Sequence, residues 1–139
     1  MHDRVGMDLA KMLGMAEGRV LVVDDDPDSR TLMAHLLSSE GYQVTTASNG
    51  HDALNQLSAV TPSVILLDLE MPVMDGRGFR QHQLRMRGPL RSVPVIVCSG
   101  SDEATKLTNE LQPFACVSKP LPDFGQLLQH VEAACHQST

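Results

Sequence analysis

The chain has 139 residues, 42% of them apolar, with 17 acidic against 11 basic side chains and a formal charge of −6. That length suits one domain and leaves no room for a second of ordinary size, while the apolar share excludes general disorder. An acidic balance speaks against nucleic acid or an anionic membrane as the principal partner, and no apolar run approaches the roughly 20 residues that span a bilayer.

Residues 1–18 read as a short leader whose glycines at 6, 14 and 18 disfavour a long helix. It bears Asp3 and Asp8 and lacks the apolar core of a signal peptide. From residue 19 to about 136 the pattern becomes regular and predicts one domain. Arg19–Asp24 is an apolar run ending in acid, a strand. Asp26 precedes Pro27 and is expected to cap a helix on which Leu32, Met33, Leu36 and Leu37 recur, with Gly41 as its stop. Tyr42–Ala47 is β-branched and alternating, and Ser48 or Asn49 begins a helix bearing Ala53, Leu54 and Leu57. Ser63–Asp68 is a second apolar run that ends in an acid. A weaker helix follows over about 75–87, with Phe79, Leu84 and Met86. Val93–Cys98 is a third apolar strand, Asp102–Leu111 another helix, and Phe114–Ser118 the last strand. Phe124, Leu127, Leu128 and Val131 then mark an amphipathic closing helix.

Five strands alternate with helices, and three of the strands are apolar almost throughout, the pattern of strands buried on both faces. This predicts a three-layer α/β sandwich with a parallel sheet, whose ligands gather outside the carboxyl ends of the strands. Asp24, Asp25 and Asp26 follow the first strand and Asp68 the third, with Ser99 after the fourth and Lys119 after the fifth. Polar residues at such loop starts are commonplace, and a single Asp there is more often a helix cap than a reactive group. In combination they mean more. Crowded carboxylates repel one another and recruit a cation, and an all-oxygen set with open water positions suits Mg²⁺. A carboxylate among them can act as a nucleophile toward phosphorus, with the lysine and the hydroxyl meeting the transferred group. The neighbouring pair Asp24 and Asp25 is the better metal holder, and Asp68, set apart, the better acceptor.

In order and spacing these residues resemble the receiver domain of response regulators. VLVVDDDPDSR is similar to that family's acidic-pair strand, VILLDLEMPVMDG to its phosphorylation-site strand, VPVIVCSG to its hydroxyl strand and CVSKP to its Lys-Pro strand end. The separations, 43 from Asp25 to Asp68, 31 on to Ser99 and 20 on to Lys119, are near the family's usual ones, the last slightly short, which implies a trimmed fourth helix or loop. The resemblance implies a flavodoxin-like fold with a five-stranded sheet of order 2-1-3-4-5. It implies Asp68 as phospho-acceptor, and Asp24, Asp25, Asp68 and the backbone carbonyl of Glu70 around Mg²⁺. Ser99 and Lys119 would hold the phosphoryl oxygens, and Lys119–Pro120 would be a cis bond. The implied partners are a sensor histidine kinase or His-phosphotransfer protein, and a downstream protein at the face of the fourth helix, last strand and last helix. Neither nucleic acid nor a membrane is expected, and the expected location is cytoplasmic. The expected role is that of a stand-alone regulator, or a receiver cut from a hybrid kinase, catalysing only its own phosphorylation and dephosphorylation.

Cys116 departs from the family pattern, which has an aromatic residue three places before the lysine. Two other readings follow from the residues: a degenerate receiver serving as a docking module, and an aspartate-nucleophile phosphatase of the haloacid dehalogenase type, in which Asp24 and Asp26 would form the reactive pair. The three cysteines lie far apart with no CxxC, as in a reducing compartment, and Cys116 is expected to be a small buried apolar group. Arg77, Arg80, Arg85, Arg87 and Arg91 crowd one segment. Without interleaved aromatics they read as a solvated or protein-docking face.

Overall fold

The computed structural model describes residues 18–69, 76–99, 111–118 and 124–137, the side chains of Ser99, Ser118 and Gln137 excepted. The expected leader and nearly all of the helix expected at Asp102–Leu111 fall outside these residues. The elements run β1 (Arg19–Val23), α1 (Pro27–Ser39), β2 (Gln43–Ala47), α2 (Gly50–Ala59), β3 (Val64–Asp68), α3 (Gly76–Leu84), α4 (Pro89–Ser92), β4 (Val95–Ser99), β5 (Ala115–Ser118) and α5 (Phe124–Gln137). All four strand pairings are parallel, and the order across the sheet is β2-β1-β3-β4-β5.

Alternation along the strands divides the core in two. Leu21, Val23, Ile65, Leu67, Val95 and Val97 face α2 and α3, meeting Ala53, Leu57 and Phe79. Val20, Val22, Val64, Leu66 and Ile96 face α1 and α5, meeting Leu37, Leu127, Val131 and Ala134. This is the three-layer sandwich. The three apolar runs are the three central strands, and every residue of β3 is buried. The edge strand β2 leaves Gln43, Thr45 and Thr46 exposed. On α1, Leu37 is fully buried but Leu32 is 59% exposed, so the helix keeps an apolar residue on its outer side.

Local chemistry sets the element ends. Asp26 caps α1, its carboxylate accepting from the Asp28 amide at 3.4 Å. At the other end Gly41, with φ of 99°, donates to Ser38 O, and the Tyr42 amide donates to Leu37 O at 3.2 Å. These paired bonds close a Schellman motif, with Tyr42 packed in the same cluster as Leu37. Of the two candidate caps for α2, Asn49 is the one used: its side chain accepts from Asp52 N at 2.8 Å. Strand β4 begins two residues later than expected. Pro94 has no N–H to give, yet its carbonyl accepts from Ile65 N at 3.0 Å.

Helix α3 is shorter than the expected 75–87. It tightens after Leu84 through i→i+3 bonds from Arg85 N to His82 O and Met86 N to Gln83 O. Gly88, at φ 73°, then turns the chain into the short α4, which the sequence pattern did not signal. Arg80 departs from the reading of the arginine segment as a solvated or protein-docking face. It is 6% exposed, donating from Nε to Leu111 O at 2.8 Å, from one terminal nitrogen to Gln83 Oε1 at 2.6 Å and from the other to Gln112 O at 2.9 Å. Gln83, fully buried, donates in turn to Leu90 O and Val93 O at 2.9 and 3.1 Å. Burial lowers the pKa of the Arg80 guanidinium below its usual range. The expectation for Cys116 is also corrected. It is exposed, whereas Cys98 and Cys135 are buried, because β5 lies at the sheet edge and has a neighbouring strand on one side only.

Candidate functional site

The carboxyl ends of β1 and β3 lie side by side, since Val23 pairs with Leu67. The residues that follow, Asp24 and Asp68, share strand parity with Val22 and Leu66 and so share a side of the sheet. Asp24, Asp25 and Asp68 each bring a carboxylate oxygen to within 4.8 Å of the others, Asp24 and Asp68 buried and Asp25 exposed. Two buried carboxylates beside a third repel one another, a cost that a divalent cation removes. The set contains only hard oxygen donors and stays open to solvent at Asp25, which fits an ion that keeps part of its water shell.

Backbone and helix hold Asp24 from several directions. Its amide donates to Ala47 O at 3.1 Å, continuing the β1–β2 ladder one residue past the strand. Its Oδ1 accepts from Asp26 N at 3.0 Å and its Oδ2 from Ser29 Oγ at 2.9 Å, while Arg30 donates to its carbonyl at 2.8 Å. Ser29 and Arg30 had no place in the sequence reading. The available signal was a hydroxyl in the first turn of the helix that directly follows the acids. Asp26 caps α1 and is not one of the three grouped carboxylates, although it lines the cleft beside them.

Behind Asp68, the Leu69 amide donates to Cys98 O at 3.2 Å and the Leu69 carbonyl accepts from Gly76 N at 3.2 Å. Leu69 and Gly76 are thus held together at the strand end. A Cβ on Gly76 would stand 2.7 Å from Leu69 Cα and closer still to the Asp68 carbonyl oxygen, so only glycine fits. Cys98 pairs in register with Asp68, which places Ser99, the last residue of β4, at the same sheet edge. The Ser99 side chain, Glu70, Lys119 and the Lys119–Pro120 bond lie outside the described residues. A cleft of about 520 Å³ opens beside the acids, with Asp24, Asp28 and Asp68 at its rim and Leu32, Leu66 and Cys98 along its wall.

Comparison with known proteins agrees with this architecture. The family described as response regulator receiver domain matches residues 20–132. A protein-glutamate methylesterase/protein-glutamine glutaminase of Rhizobium etli is 39% identical over 130 residues, covering 86% of this chain and 36% of that protein. The chain therefore spans about a third of that relative's length. Among solved structures, the signal receiver domain of a signal transduction histidine kinase from Syntrophus aciditrophicus superposes with a TM-score of 0.78 at 28% identity, over 87% of this chain and 92% of that one. The response regulator protein TrrA of Thermotoga maritima, solved with Mg²⁺-BeF, superposes with a TM-score of 0.75 at 26% identity, over 85% and 99% of the two chains. Strand order, family match and structural neighbours agree. The chain belongs to the response regulator receiver domain family.

Proposed function

We propose that this receiver accepts a phosphoryl group on Asp68 from a phosphohistidine of a sensor histidine kinase or His-phosphotransfer protein, and signals by contact with a downstream protein. Receiver domains of this family act in two-component systems, engaging histidine kinases and downstream effectors. One observation above all supports the reading: three carboxylates from two adjacent strand ends converge within 4.8 Å beside an open cleft. The Mg²⁺-BeF complex of the Thermotoga relative adds weight to a magnesium site.

Asp24, Asp25, Asp68 and the Glu70 carbonyl would hold the ion. When bound, Mg²⁺ supplies positive charge that stabilises the phosphoryl oxygens during transfer. The chain's own residues do the rest. Ser29 and the Asp26 amide fix the Asp24 carboxylate, and the pinned Leu69–Gly76 closure fixes the backbone of Asp68. An Asp68 carboxylate oxygen attacks phosphorus in line as the P–N bond to the donor imidazole breaks, and the electron pair returns to the ring. The product is an acyl phosphate bearing roughly two negative charges, which Ser99 and Lys119 meet. Attack by water later releases phosphate and restores the carboxylate. The domain, taken as 19–136, does no other chemistry.

Incubation with acetyl phosphate and Mg²⁺, followed by intact-mass measurement, tests this. Wild type should gain the mass of one phosphoryl group and Asp68→Asn none. No gain on a folded wild type would overturn the proposal and favour the degenerate docking module.

A further inference from the structure

The arginine segment divides into two parts with different surroundings. Residues 76–92 hold five of the chain's eleven basic side chains and no acidic one, in a protein of net charge −6. Arg80 is consumed by the buried network on α3. Arg85, Arg87 and Arg91 are exposed, and no carboxylate among the described residues pairs with them.

These three do not sit on a slack loop. Gln83 ties the Leu90 and Val93 carbonyls to α3, Arg85 N and Met86 N close the helix end, and Arg91 N donates to Gly88 O at 3.3 Å. Met86 and Leu90 anchor the same stretch in the core. The arginines are therefore mounted on a fixed platform, which reduces the ordering entropy that binding must overcome. Val93 leads directly into β4, so the platform lies at the amino-terminal edge of the sheet, the edge opposite Asp24 and Asp68. The loop into the neighbouring β3 begins at that same edge, and its Val60 is 45% exposed.

We propose that the platform of Arg85, Arg87 and Arg91 docks an acidic polypeptide segment of a partner protein, at the end of the domain away from the acceptor site. Charge complementarity selects an anion. The chain's overall negative charge repels long polyanions, whereas a short acidic peptide feels chiefly the arginines within a Debye length of about 10 Å. Phe79, the segment's one Phe, Tyr or Trp residue, is buried, so the surface lacks the exposed aromatic ring that single-stranded nucleic-acid grooves set beside their cations. A partner held here leaves the acidic cleft open to a phosphodonor.

The test is fluorescence anisotropy of a labelled oligoglutamate peptide titrated with the full chain at low salt. Saturable binding that weakens with added salt is expected. Three exposed ion pairs of ordinary strength amount to about tenfold in Kd, so the triple variant Arg85→Gln/Arg87→Gln/Arg91→Gln should bind at least that much more weakly. Asp68→Asn should bind as wild type does, which separates this surface from the acceptor site. Absence of binding, binding unaltered in a folded triple variant, or tighter binding of single-stranded DNA of equal charge would each overturn the proposal.

Discussion

Replacing Gly76 with alanine is the sharpest probe of how the acceptor strand is built. The backbone bonds from Leu69 N to Cys98 O and from Gly76 N to Leu69 O, both 3.2 Å, clamp the glycine against the end of β3. The added methyl would stand 2.7 Å from Leu69 Cα and 3.0 Å from the Asp68 carbonyl carbon, where ordinary contact needs nearer 4 Å. Every one of these neighbours is backbone, so no side chain can rotate away. Relief requires moving either α3 or the end of β3 by about an ångström. Overpacking of this kind costs typically 1–3 kcal/mol, and with backbone on both sides the upper half, about 2–3 kcal/mol, is expected. For a domain of this size that lowers Tm by about 10 °C. Urea unfolding followed by far-UV circular dichroism should show the midpoint fall with the slope unchanged. Because the displaced atoms belong to Asp68 itself, phosphorylation by acetyl phosphate should also slow. Gly88→Ala is the control. Nothing lies within 4 Å of its Cβ, so that variant meets only the backbone strain of φ 73° and should leave the phosphorylation rate alone. A Gly76→Ala protein within about 0.5 kcal/mol of wild type, a difference typical of surface substitutions, would refute the reasoning.

Other expectations follow from the same geometry. Ser29→Ala removes the 2.9 Å hydroxyl donor to Asp24 Oδ2 and should weaken Mg²⁺ binding by about tenfold in calorimetric titration, with little change in Tm. Gln83→Leu orphans the Leu90 and Val93 carbonyls as well as one Arg80 N–H, and should cost about 3 kcal/mol in urea unfolding. Alkali should destabilise the fold. Burial, reinforced by Glu132, pushes the Cys135 thiol from 9.0 up to about 11. Burial, then the nearby Cys135, Glu132 and Glu40, pushes Tyr42 from 10.0 up to about 12. Both groups are neutral when protonated and hold the proton more tightly in the fold, so their contribution is complete below the unfolded values. It is lost as pH rises from about 9 through about 12. Urea midpoints measured across that window should fall, and Tyr42→Phe should flatten the upper part of the decline.

How much of this was legible beforehand differs from residue to residue. The strands at 19–23, 64–68 and 95–99 were plain because a strand buried on both faces needs apolar residues at every position. The Asp26 cap and the Gly41 stop were equally plain, since both act within four residues of chain. The gathering of Asp24 and Asp68 followed from strand ends alone, because any parallel sheet brings successive strand ends to one edge. What escaped were contacts that depend on distant segments. Arg80 reads as one more surface arginine until Leu111 and Gln112 arrive with carbonyls that need donors. Cys116 reads as apolar filler until the sheet ends at β5 and leaves it uncovered.

The order of residues along the chain determined the layers, the caps and the set of acids presented at one edge, because periodicity and capping are properties of neighbours in sequence. Tertiary structure alone decided which guanidinium is buried, which hydroxyl steadies Asp24 and why residue 76 must lack a side chain. Each of those depends on how closely two remote stretches of backbone approach, a distance that no local pattern encodes.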